Sequence, residues 1–324
     1  MTQPLLSIRD LQLAFQKDGE KTLALRGVDL DVAPGETVGL VGESGSGKSL
    51  TAFATMGLLP PSARVVSGSI LFQGRDLLRI GEREFEGIRG NDLNMIFQEP
   101  MTALNPVMTI GAQISAPIRK HLNFSKAAAR TRAIEQLAFV GIPDPTRRFD
   151  QFPHQLSGGM RQRVMIAMAL GSDPKLLIAD EPTTALDVTI QAQILELLRR
   201  LRNELNLAIV IITHDLGVIA ELADRVCVMY GGRIVEKAPA GSLFDSPQHP
   251  YSQGLLSSTI DIEAPTQTRL RTIRGAVPHI ADMPSGCAFH PRCPERLSIC
   301  DSDVPSLERQ TPERSVACWA RNTA

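Results

Sequence analysis

The sequence predicts an α/β fold built on a mostly parallel, doubly wound sheet. Between residue 36 and about residue 240, short apolar runs rich in β-branched residues alternate with stretches of helical periodicity. Continuous apolar runs of this kind suit parallel strands that are buried on both faces. Their alternation with helices favours a sheet that is covered by helices. A chain of 324 residues is also long enough to hold more than one packing unit.

The strands and helices of this fold can be placed from their apolar patterns. The predicted strands of the sheet are "ETVGLVG" (36–42), "NMIFQ" (94–98), "KLLIAD" (175–180), "LAIVIIT" (207–213) and "DRVCVMY" (224–230). Helical periodicity predicts helices over residues 48–59, 125–140, 159–171, 189–204 and 216–223. Residues 5–15 and 23–36 predict instead a pair of antiparallel strands, which would form a separate side sheet.

Two changes of pattern divide the chain. From residue 99 to about residue 160 the strand signal disappears, which predicts a helical subdomain inserted into the α/β core. After residue 240 the chain becomes rich in Pro, Ser and Thr, as in "SPQHPY" (246–251), "EAPTQT" (263–268) and "VPHIADMPSG" (277–286). We therefore predict a first domain over residues 1–240 and a smaller, loop-rich C-terminal domain over residues 241–324.

Composition narrows the possible partners. The chain carries 34 basic and 35 acidic residues, for a net charge of −1, which argues against nucleic acid as the main partner. The start of the chain lacks the pattern of a signal peptide. No apolar run approaches the roughly 18–20 residues that span a bilayer. We expect a cytosolic chain that reaches a membrane only through a partner.

The stretch "GESGSGKS" (42–49) matches the phosphate-loop pattern G-x-x-x-x-G-K-[ST]. It follows a predicted strand and precedes a predicted helix, which is the context that the pattern requires and which disfavours a simple Gly/Ser turn. Lys48 would reach the β- and γ-phosphates of a nucleotide, and the hydroxyl of Ser49 would bind Mg²⁺. The predicted nucleotide-binding residues are Gly42, Glu43, Ser44, Gly45, Ser46, Gly47, Lys48, Ser49 and Leu50.

A second strand ends in two carboxylates. In "KLLIADE" (175–181) four apolar residues lead to Asp180, which is followed directly by Glu181. Asp180 is the predicted carboxylate for Mg²⁺, and Glu181 can orient or deprotonate an attacking water. Taken alone, an Asp-Glu pair after an apolar run is more often a solvated strand end. Its occurrence in a chain that also has a phosphate loop favours the catalytic interpretation.

A Ser-Gly-Gly sequence opens the helix in "LSGGMRQRVMIAMAL" (156–170) and is a credible second anion site. This stretch resembles the signature motif of ABC-transporter ATPases, which binds the γ-phosphate held by the phosphate loop of a partner subunit. The resemblance implies a head-to-tail pair of ATPase domains that enclose two ATP molecules. It also implies that the partner's ATP is contacted by Ser157, Gly158, Gly159 and Gln162.

Other motifs resemble those of the same family and follow its order. Gln98 in "IFQEP" resembles the Q-loop glutamine that touches Mg²⁺, and "TTALD" (183–187) resembles the D-loop that ends in Asp187. His214 resembles the switch histidine that contacts the γ-phosphate. Phe15 resembles the aromatic residue that stacks on adenine, although a strand phenylalanine is more often a core residue. The resemblance implies a P-loop ABC ATPase domain that hydrolyses ATP with Mg²⁺, with Lys48, Glu181 and His214 as its catalytic residues.

The C-terminal part resembles one branch of that family. Residues 242–258 and 273–293 are similar to the C-terminal extension of oligopeptide/dipeptide transporter ATPases. This resemblance implies a peptide importer at the cytoplasmic face of the membrane. Its implied partners are a second, homologous rather than identical ATPase subunit, two integral membrane permease subunits and an extracytoplasmic substrate-binding protein.

Two alternative functions stay open at this point. Nickel and glutathione transporters share the C-terminal extension, so the substrate could be one of these or another small solute. An alternative of another class is a soluble ABC ATPase that acts on DNA or ribosomes. The single set of motifs and the near-neutral charge of the chain disfavour that alternative.

Four of the five cysteines lie close to the C-terminus, at Cys287, Cys293, Cys300 and Cys318. A reducing cytosol disfavours structural disulfides, and the spacings lack the close cysteine pairs of most structural zinc sites. Four thiolates from loops of a small domain would suit an iron–sulfur cluster. The resemblance to peptide-transporter ATPases implies a [4Fe-4S] cluster at these residues, while zinc and packed free thiols remain alternatives.

Overall fold

The structure is a computed structural model that describes residues 3–17, 19–184, 186–258 and 273–322. The segment "EAPTQT" (263–268), which helped to place the domain boundary, lies outside the described residues. The chain divides into two compact units. Unit 1 comprises residues 1–5, 33–37 and 77–212, and unit 2 comprises residues 6–32, 38–76 and 213–324. The predicted boundary near residue 240 stays a prediction.

The described residues form the strands and helices that the apolar patterns predict, together with several that they do not. The strands are β1 (Leu6–Lys17), β2 (Glu20–Val32), β3 (Thr37–Val41), β4 (Ala63–Phe72), β5 (Arg75–Asp76), β6 (Leu93–Ile96), β7 (Leu176–Asp180), β8 (Ala208–Thr213), β9 (Arg225–Tyr230), β10 (Arg233–Pro239), β11 (Glu308–Thr311) and β12 (Arg314–Val316). The helices are α1 (Lys48–Met56), α2 (Glu82–Ile88), α3 (Pro100–Ala103), α4 (Ile110–Leu122), α5 (Lys126–Phe139), α6 (Pro145–Phe149), α7 (Gly158–Leu170), α8 (Val188–Leu205), α9 (Leu216–Leu222), α10 (Ala240–Asp245) and α11 (Pro250–Ser257).

Unit 2 contains an antiparallel sheet in the order β2-β1-β4-β5. Strand β1 pairs with β2 through residues such as Ile8 and Leu30, which are both buried. It pairs on its other edge with β4. Alternate residues of these strands point to one apolar face, as expected for a sheet with one side packed on a core. The predicted antiparallel side sheet is therefore confirmed.

Unit 2 also contains β3 in parallel register with β9, where Val38 lies opposite Arg225. Strand β9 pairs antiparallel with β10, and β10 pairs with β12 from the C-terminal part of the chain. All five residues of β3 are buried. Strand β11, whose sequence is "ERQT", is exposed along its whole length. Short polar edge strands of this kind carry no apolar alternation, so the sequence patterns do not predict them.

Unit 1 contains three parallel strands in the order β6-β7-β8. Leu176 of β7 lies opposite Leu93 on one side and Ala208 on the other. The helices α4, α5 and α7 contact one another, and their apolar residues, including Ile114 and Leu137, are fully buried. These helices form the predicted helical subdomain, and the predicted fold class is confirmed.

Helix α1 ends earlier than its periodicity predicts. The periodic pattern extends to residue 59, but the helix stops at Met56 because Gly57 adopts a left-handed conformation with φ of 64°. The Gly57 amide then donates to the carbonyl of Ala54, as is common at helix C-termini. Within the described part of the chain, no helix combines the length and the apolar character needed to cross a membrane.

Candidate nucleotide-binding site

The phosphate loop lies between β3 and α1, within unit 2. Gly42 and Gly47 have φ of 153° and 106°, a region that favours glycine. A Cβ on Gly42 would lie 2.2 Å from the carbonyl oxygen of Met229, and one on Gly47 would lie 2.7 Å from Cδ2 of Leu25. The curl of the loop therefore depends on glycine for both its backbone angles and its close packing.

The polar groups of the loop are arranged to receive an anion. Lys48 is buried, and its Nζ donates to the carbonyl oxygens of Gly42 at 2.8 Å and Glu43 at 3.1 Å. Gly47 is the N-cap of helix α1, so no side chain caps the start of the helix. The buried Oγ of Ser46 has no hydrogen-bond partner among the described residues. A buried hydroxyl without a partner is costly, so a ligand that supplies acceptors here would stabilise the loop, and a phosphate fits this requirement.

Residues of the C-terminal part of the chain contact the outside of the loop. The backbone amide of Glu43 donates to the phenol oxygen of Tyr251 at 2.8 Å. The guanidinium of Arg292 donates to the carboxylate of Glu43 at 2.7 and 3.0 Å. The hydrogen bond to Glu43 raises the pKa of Arg292, and burial raises the pKa of Tyr251. Both groups therefore keep their protons at neutral pH.

The carboxylates of the second motif lie at the C-terminal end of β7, within unit 1. Asp180 is the last residue of the strand and is 3% exposed. Glu181 follows with φ of 48°, an uncommon conformation for a residue with a side chain. Its amide donates to the carbonyl of Ile212 at 2.8 Å, which holds this turn. The structure thus places Glu181 beyond the strand end in a fixed backbone conformation.

Glu181 and Gln98, which the sequence places 83 residues apart, are brought together. The Nε2 of Gln98 donates to Oε2 of Glu181 at 2.7 Å. The hydroxyl of Thr184 donates to the same oxygen at 2.9 Å. Because β6 and β7 are parallel neighbours, the residues that follow them meet at the same edge of the sheet.

The signature stretch lies at the start of α7, also within unit 1. Ser157 is the N-cap and accepts a hydrogen bond from the amide of Met160, and both Ser157 and Gly158 are exposed. A Cβ on Gly159 would lie 2.8 Å from Cγ2 of Ile190. Gln162 is only 2% exposed, and its Nε2 donates to the carbonyl of Pro182 at 2.6 Å. The side-chain amide of Gln162 is therefore hydrogen-bonded within the chain. Its contact with a partner's ATP stays a prediction.

Three further residues complete the predicted set. Asp187 caps α8, accepting from the amide of Ile190 at 2.9 Å; residue 185 of the D-loop stretch lies outside the described residues. His214 follows β8 directly and is exposed. Phe15 is half-buried on β1, so part of its ring is accessible. Phe15, the phosphate loop, His214 and the four C-terminal cysteines belong to unit 2. Gln98, the signature residues, Asp180, Glu181 and Asp187 belong to unit 1.

The four C-terminal cysteines are neighbours in space, and none of them forms a disulfide. Burial raises the pKa of Cys287, of Cys318 and of Cys293, the last to about 11, and the nearby thiols add to this effect. The amide of Cys287 donates to the carbonyl of Cys300 at 2.9 Å. Within the residues that the structure describes, no three His, Cys, Asp or Glu side chains are placed to hold a metal ion.

Several residues that join the C-terminal part to the rest of unit 2 are not predicted from the sequence. Glu236 is fully buried and accepts from the amides of Gln248 and His249, at 3.0 and 2.9 Å. His249 is the N-cap of α11, and its side chain accepts from the amide of Tyr251. The rings of Tyr230, Tyr251 and Phe289 pack together, with centroids 4.7 to 5.4 Å apart. The sequence shows a glutamate within the strand β10. It gives no sign that this glutamate is buried, because exposed strand residues have the same character.

Comparison with protein families gives two matches. The profile of the family described as ABC transporter matches residues 25–184. The profile described as "Oligopeptide/dipeptide transporter, C-terminal region" matches residues 235–300. The two matches therefore cover the phosphate loop, the carboxylates and three of the four C-terminal cysteines, with Cys318 outside them.

The chain is also similar to curated proteins over nearly its full length. It is 48% identical to the dipeptide transport ATP-binding protein DppD of Bacillus subtilis (strain 168), over 99% of this chain and 96% of the relative. It is 49% identical to the oligopeptide transport ATP-binding protein OppD of the same organism, over 97% and 88% of the two chains. Among solved structures it is similar to a dimeric post-hydrolysis state of the ATP-binding cassette MJ0796 bound to ADP and Pi, with a TM-score of 0.66 and 28% identity over 72% of this chain and 98% of that one.

Proposed function

The chain belongs to the ABC transporter family, and from this membership we propose that it is the ATP-hydrolysing subunit of a peptide importer. The family match covers the phosphate loop and the carboxylates. The match to the oligopeptide/dipeptide C-terminal region and the two Bacillus subtilis relatives, which are named for dipeptide and oligopeptide transport, support peptides as the transported substrate. The same architecture could carry nickel, glutathione or another small solute.

The geometry of the phosphate loop is the observation that carries the proposal that this chain binds and hydrolyses ATP. The positive φ angles of Gly42 and Gly47, the uncapped start of α1 and the unpartnered Ser46 hydroxyl together suit a bound phosphate chain. Lys48 would exchange its two carbonyl acceptors for the β- and γ-phosphates. Phe15 would stack on the adenine.

Hydrolysis requires a water that is positioned and deprotonated as it attacks the γ-phosphate. We propose that Glu181 is this general base, since its carboxylate is fixed by Gln98 and Thr184. Ser49, Gln98 and Asp180 would hold Mg²⁺, and the ion would neutralise charge on the phosphate oxygens. His214 would contact the γ-phosphate, and its exposed position beyond β8 leaves its ring accessible.

The signature and D-loop residues support a proposal about assembly. Ser157 and Gly158 are exposed at the start of α7, so their groups are available to a second subunit. We propose that Ser157, Gly158, Gly159 and Gln162 contact ATP held by a homologous, non-identical ATPase, with Asp187 at the same interface. Two permease subunits and an extracytoplasmic binding protein would complete a transporter, with this chain at the cytoplasmic face of the membrane.

A purification experiment tests the importer proposal. The tagged chain would be isolated from membranes in mild detergent, and its partners and ATPase rate would be measured with and without peptide-loaded binding protein. We expect two permeases and a second ATPase to co-purify, and the loaded binding protein to stimulate hydrolysis. Association with ribosomes or DNA in place of permeases would overturn the proposal.

We also propose that Cys287, Cys293, Cys300 and Cys318 hold a [4Fe-4S] cluster. The four thiols are neighbours in one part of unit 2 and form no disulfide. Four cysteine thiolates are the ligand set that a [4Fe-4S] cluster requires. When bound, the cluster would cross-link the loops that carry these thiols.

Iron and sulfide analysis of anaerobically purified protein tests the cluster proposal. We expect about four irons and four sulfides per chain, and a loss of both in a Cys300→Ser variant. Cys227→Ser is the matched control, since Cys227 is buried within β9 and should not affect the metal content. Stoichiometric zinc without iron would refute the proposal.

A further inference from the structure

Three groups of Glu43, in the phosphate loop, are each engaged by another residue of unit 2. Its backbone amide donates to the phenol oxygen of Tyr251 at 2.8 Å. Its carboxylate accepts two hydrogen bonds from Arg292, at 2.7 and 3.0 Å. Its carbonyl oxygen accepts from Nζ of Lys48 at 3.1 Å. Lys48 is proposed to turn to the phosphates when ATP binds, so the contacts from Tyr251 and Arg292 are the two that would hold this peptide in the bound state.

Two of these partners come from the C-terminal segment, which we define as residues 241–258 and 273–322. Tyr251 lies in α11, and Arg292 lies next to Cys293. Arg292 is 249 residues away from Glu43 along the chain. The C-terminal segment thus supplies direct contacts to the loop that is proposed to bind phosphate, although its residues are outside the matched ABC transporter region.

Contacts other than Glu43 also hold the Arg292 guanidinium in place. Its side chain is 5% exposed, against 30% for Glu43. Its Nε donates to the carbonyl of Arg274 at 3.0 Å, and its planar group lies 5.8 and 5.9 Å from the ring centres of Tyr230 and Phe289. Removing the partner of a buried charge strongly destabilises the folded protein. The pair is therefore a rigid, bidentate link rather than a surface ion pair.

Tyr251 is equally constrained. Its side chain is fully buried and packs against the rings of Tyr230 and Phe289, at 4.7 and 5.4 Å between centroids. The amide of Gly232, in the turn after Tyr230, donates to the carbonyl of Ser46 at 3.0 Å, at the other end of the loop. The loop is consequently supported at both ends. Tyr251 accepts from Glu43 at the first end, and Gly232, close to Tyr230, donates to Ser46 at the other.

We infer that Arg292 and Tyr251 are positioning residues of the ATPase, which hold the phosphate loop in the shape that binds ATP. They act through Glu43 and do not touch the nucleotide. Fixing a loop in its bound shape removes part of the entropic cost of binding, so their loss should weaken ATP binding more than it slows the chemical step. This inference rests on the proposed function, since it assumes that the loop binds ATP.

The test is a double-mutant cycle on the full chain. The variants are Arg292→Met, Glu43→Gln and the double variant, with KM and kcat for ATP hydrolysis and the Kd for Mg-ATP as readouts. We expect each single variant to raise KM and Kd about tenfold with a smaller change in kcat. The double variant should be no worse than Arg292→Met, because both changes remove the same link. Tyr251→Phe should raise KM by a smaller factor, and Arg292→Lys should restore part of the loss.

Arg296→Met is the matched control. Arg296 pairs with Asp301 in the same segment, but its side chain is 48% exposed and it does not contact the loop. It should leave KM unchanged. An unchanged KM in Arg292→Met, or an equal rise in Arg296→Met, would overturn the inference. If Arg292→Met does not fold, the Glu43→Gln/Arg292→Met double variant and Tyr251→Phe decide, because the double variant leaves no unpaired buried charge and Tyr251→Phe removes only the hydrogen bond to the Glu43 amide.

Lys48→Ala separates this inference from the proposed function. It should abolish ATP binding in the otherwise natural chain. Failure of the natural chain to bind Mg-ATP would refute the proposed function itself. Tight binding by the natural chain, loss in Lys48→Ala and no loss in Arg292→Met would refute only the positioning role.

Discussion

Gln98 donates a hydrogen bond to the carboxylate of Glu181, with 2.7 Å between Nε2 and Oε2. Both residues follow buried parallel strands that are direct neighbours, β6 and β7. The same oxygen accepts from the hydroxyl of Thr184 at 2.9 Å. The carboxylate thus accepts from two neutral donors, which fix its orientation.

Replacing Glu181 with Gln should abolish turnover while ATP still binds. The amide keeps the size of the side chain but cannot accept a proton, so kcat should fall about 100-fold or more. Steady-state ATPase assays and equilibrium nucleotide binding measure the two effects. Glu196→Gln, an exposed change on α8, serves as the control. A natural hydrolysis rate in Glu181→Gln would show that another group is the base.

Replacing Gln98 with Ala should lower kcat, and it should also weaken the binding of Mg-ATP because Gln98 is a proposed Mg²⁺ ligand. The variant removes one of the two donors that orient the Glu181 carboxylate, so the base would sample unproductive positions. We expect a fall in kcat of about tenfold, the lower end for a positioning contact. Single-turnover kinetics separate this effect from product release. A change in Kd with no change in kcat would contradict the orienting role.

Replacing Glu236 with Gln should destabilise the protein. The buried carboxylate of Glu236 accepts from the amides of Gln248 and His249, and a neutral amide can accept only through its one oxygen. The free energy of unfolding should fall by about 1–3 kcal/mol, which urea titration measures. Glu308→Gln, on the exposed strand β11, should change it by far less. Equal stability of the two variants would show that the buried charge is unimportant.

The sequence predicts the parts of this molecule that depend on local patterns. The end of β7 at Asp180 and the phosphate loop at residues 42–49 could both be placed from local sequence. At each site an apolar run, a turn and a helix follow one another within a few residues. The resemblance of short motifs then supplied their roles. Predictions of this kind do not require knowledge of distant contacts.

The contacts of Arg292 and Glu236 could not be predicted in the same way. Arg292 is joined to Glu43 across 249 residues, and its position between two cysteines suggests only a loop. Glu236 lies in a short strand between Val235 and Lys237, where its burial depends on the pairing of β10 with β12. Both charges are buried because tertiary packing supplies their partners, and no periodic pattern reports such packing.

The imidazole of His249 should make stability depend on pH. It is 2% exposed, and burial lowers its pKa to about 3. Its Nδ1 accepts from the amide of Tyr251 at 3.0 Å, so the folded state requires the neutral ring. The carboxylate of Glu236 accepts from the backbone amide of His249, and the charge of Arg321 lowers the pKa of the His249 ring further.

The sign of the effect follows from the two pKa values. In the unfolded chain His249 has an ordinary pKa of about 6.5, so below that pH the unfolded state binds a proton that the folded state rejects. The contribution to stability is complete above about pH 6.5 and is lost as the pH falls towards 3, by about 2 kcal/mol at pH 5. Urea titrations at pH 7.5 and 5 measure this loss. His249→Asn keeps an N-cap acceptor but does not titrate, so the difference between the two proteins isolates His249. An equal loss in both would show that other groups cause the pH dependence.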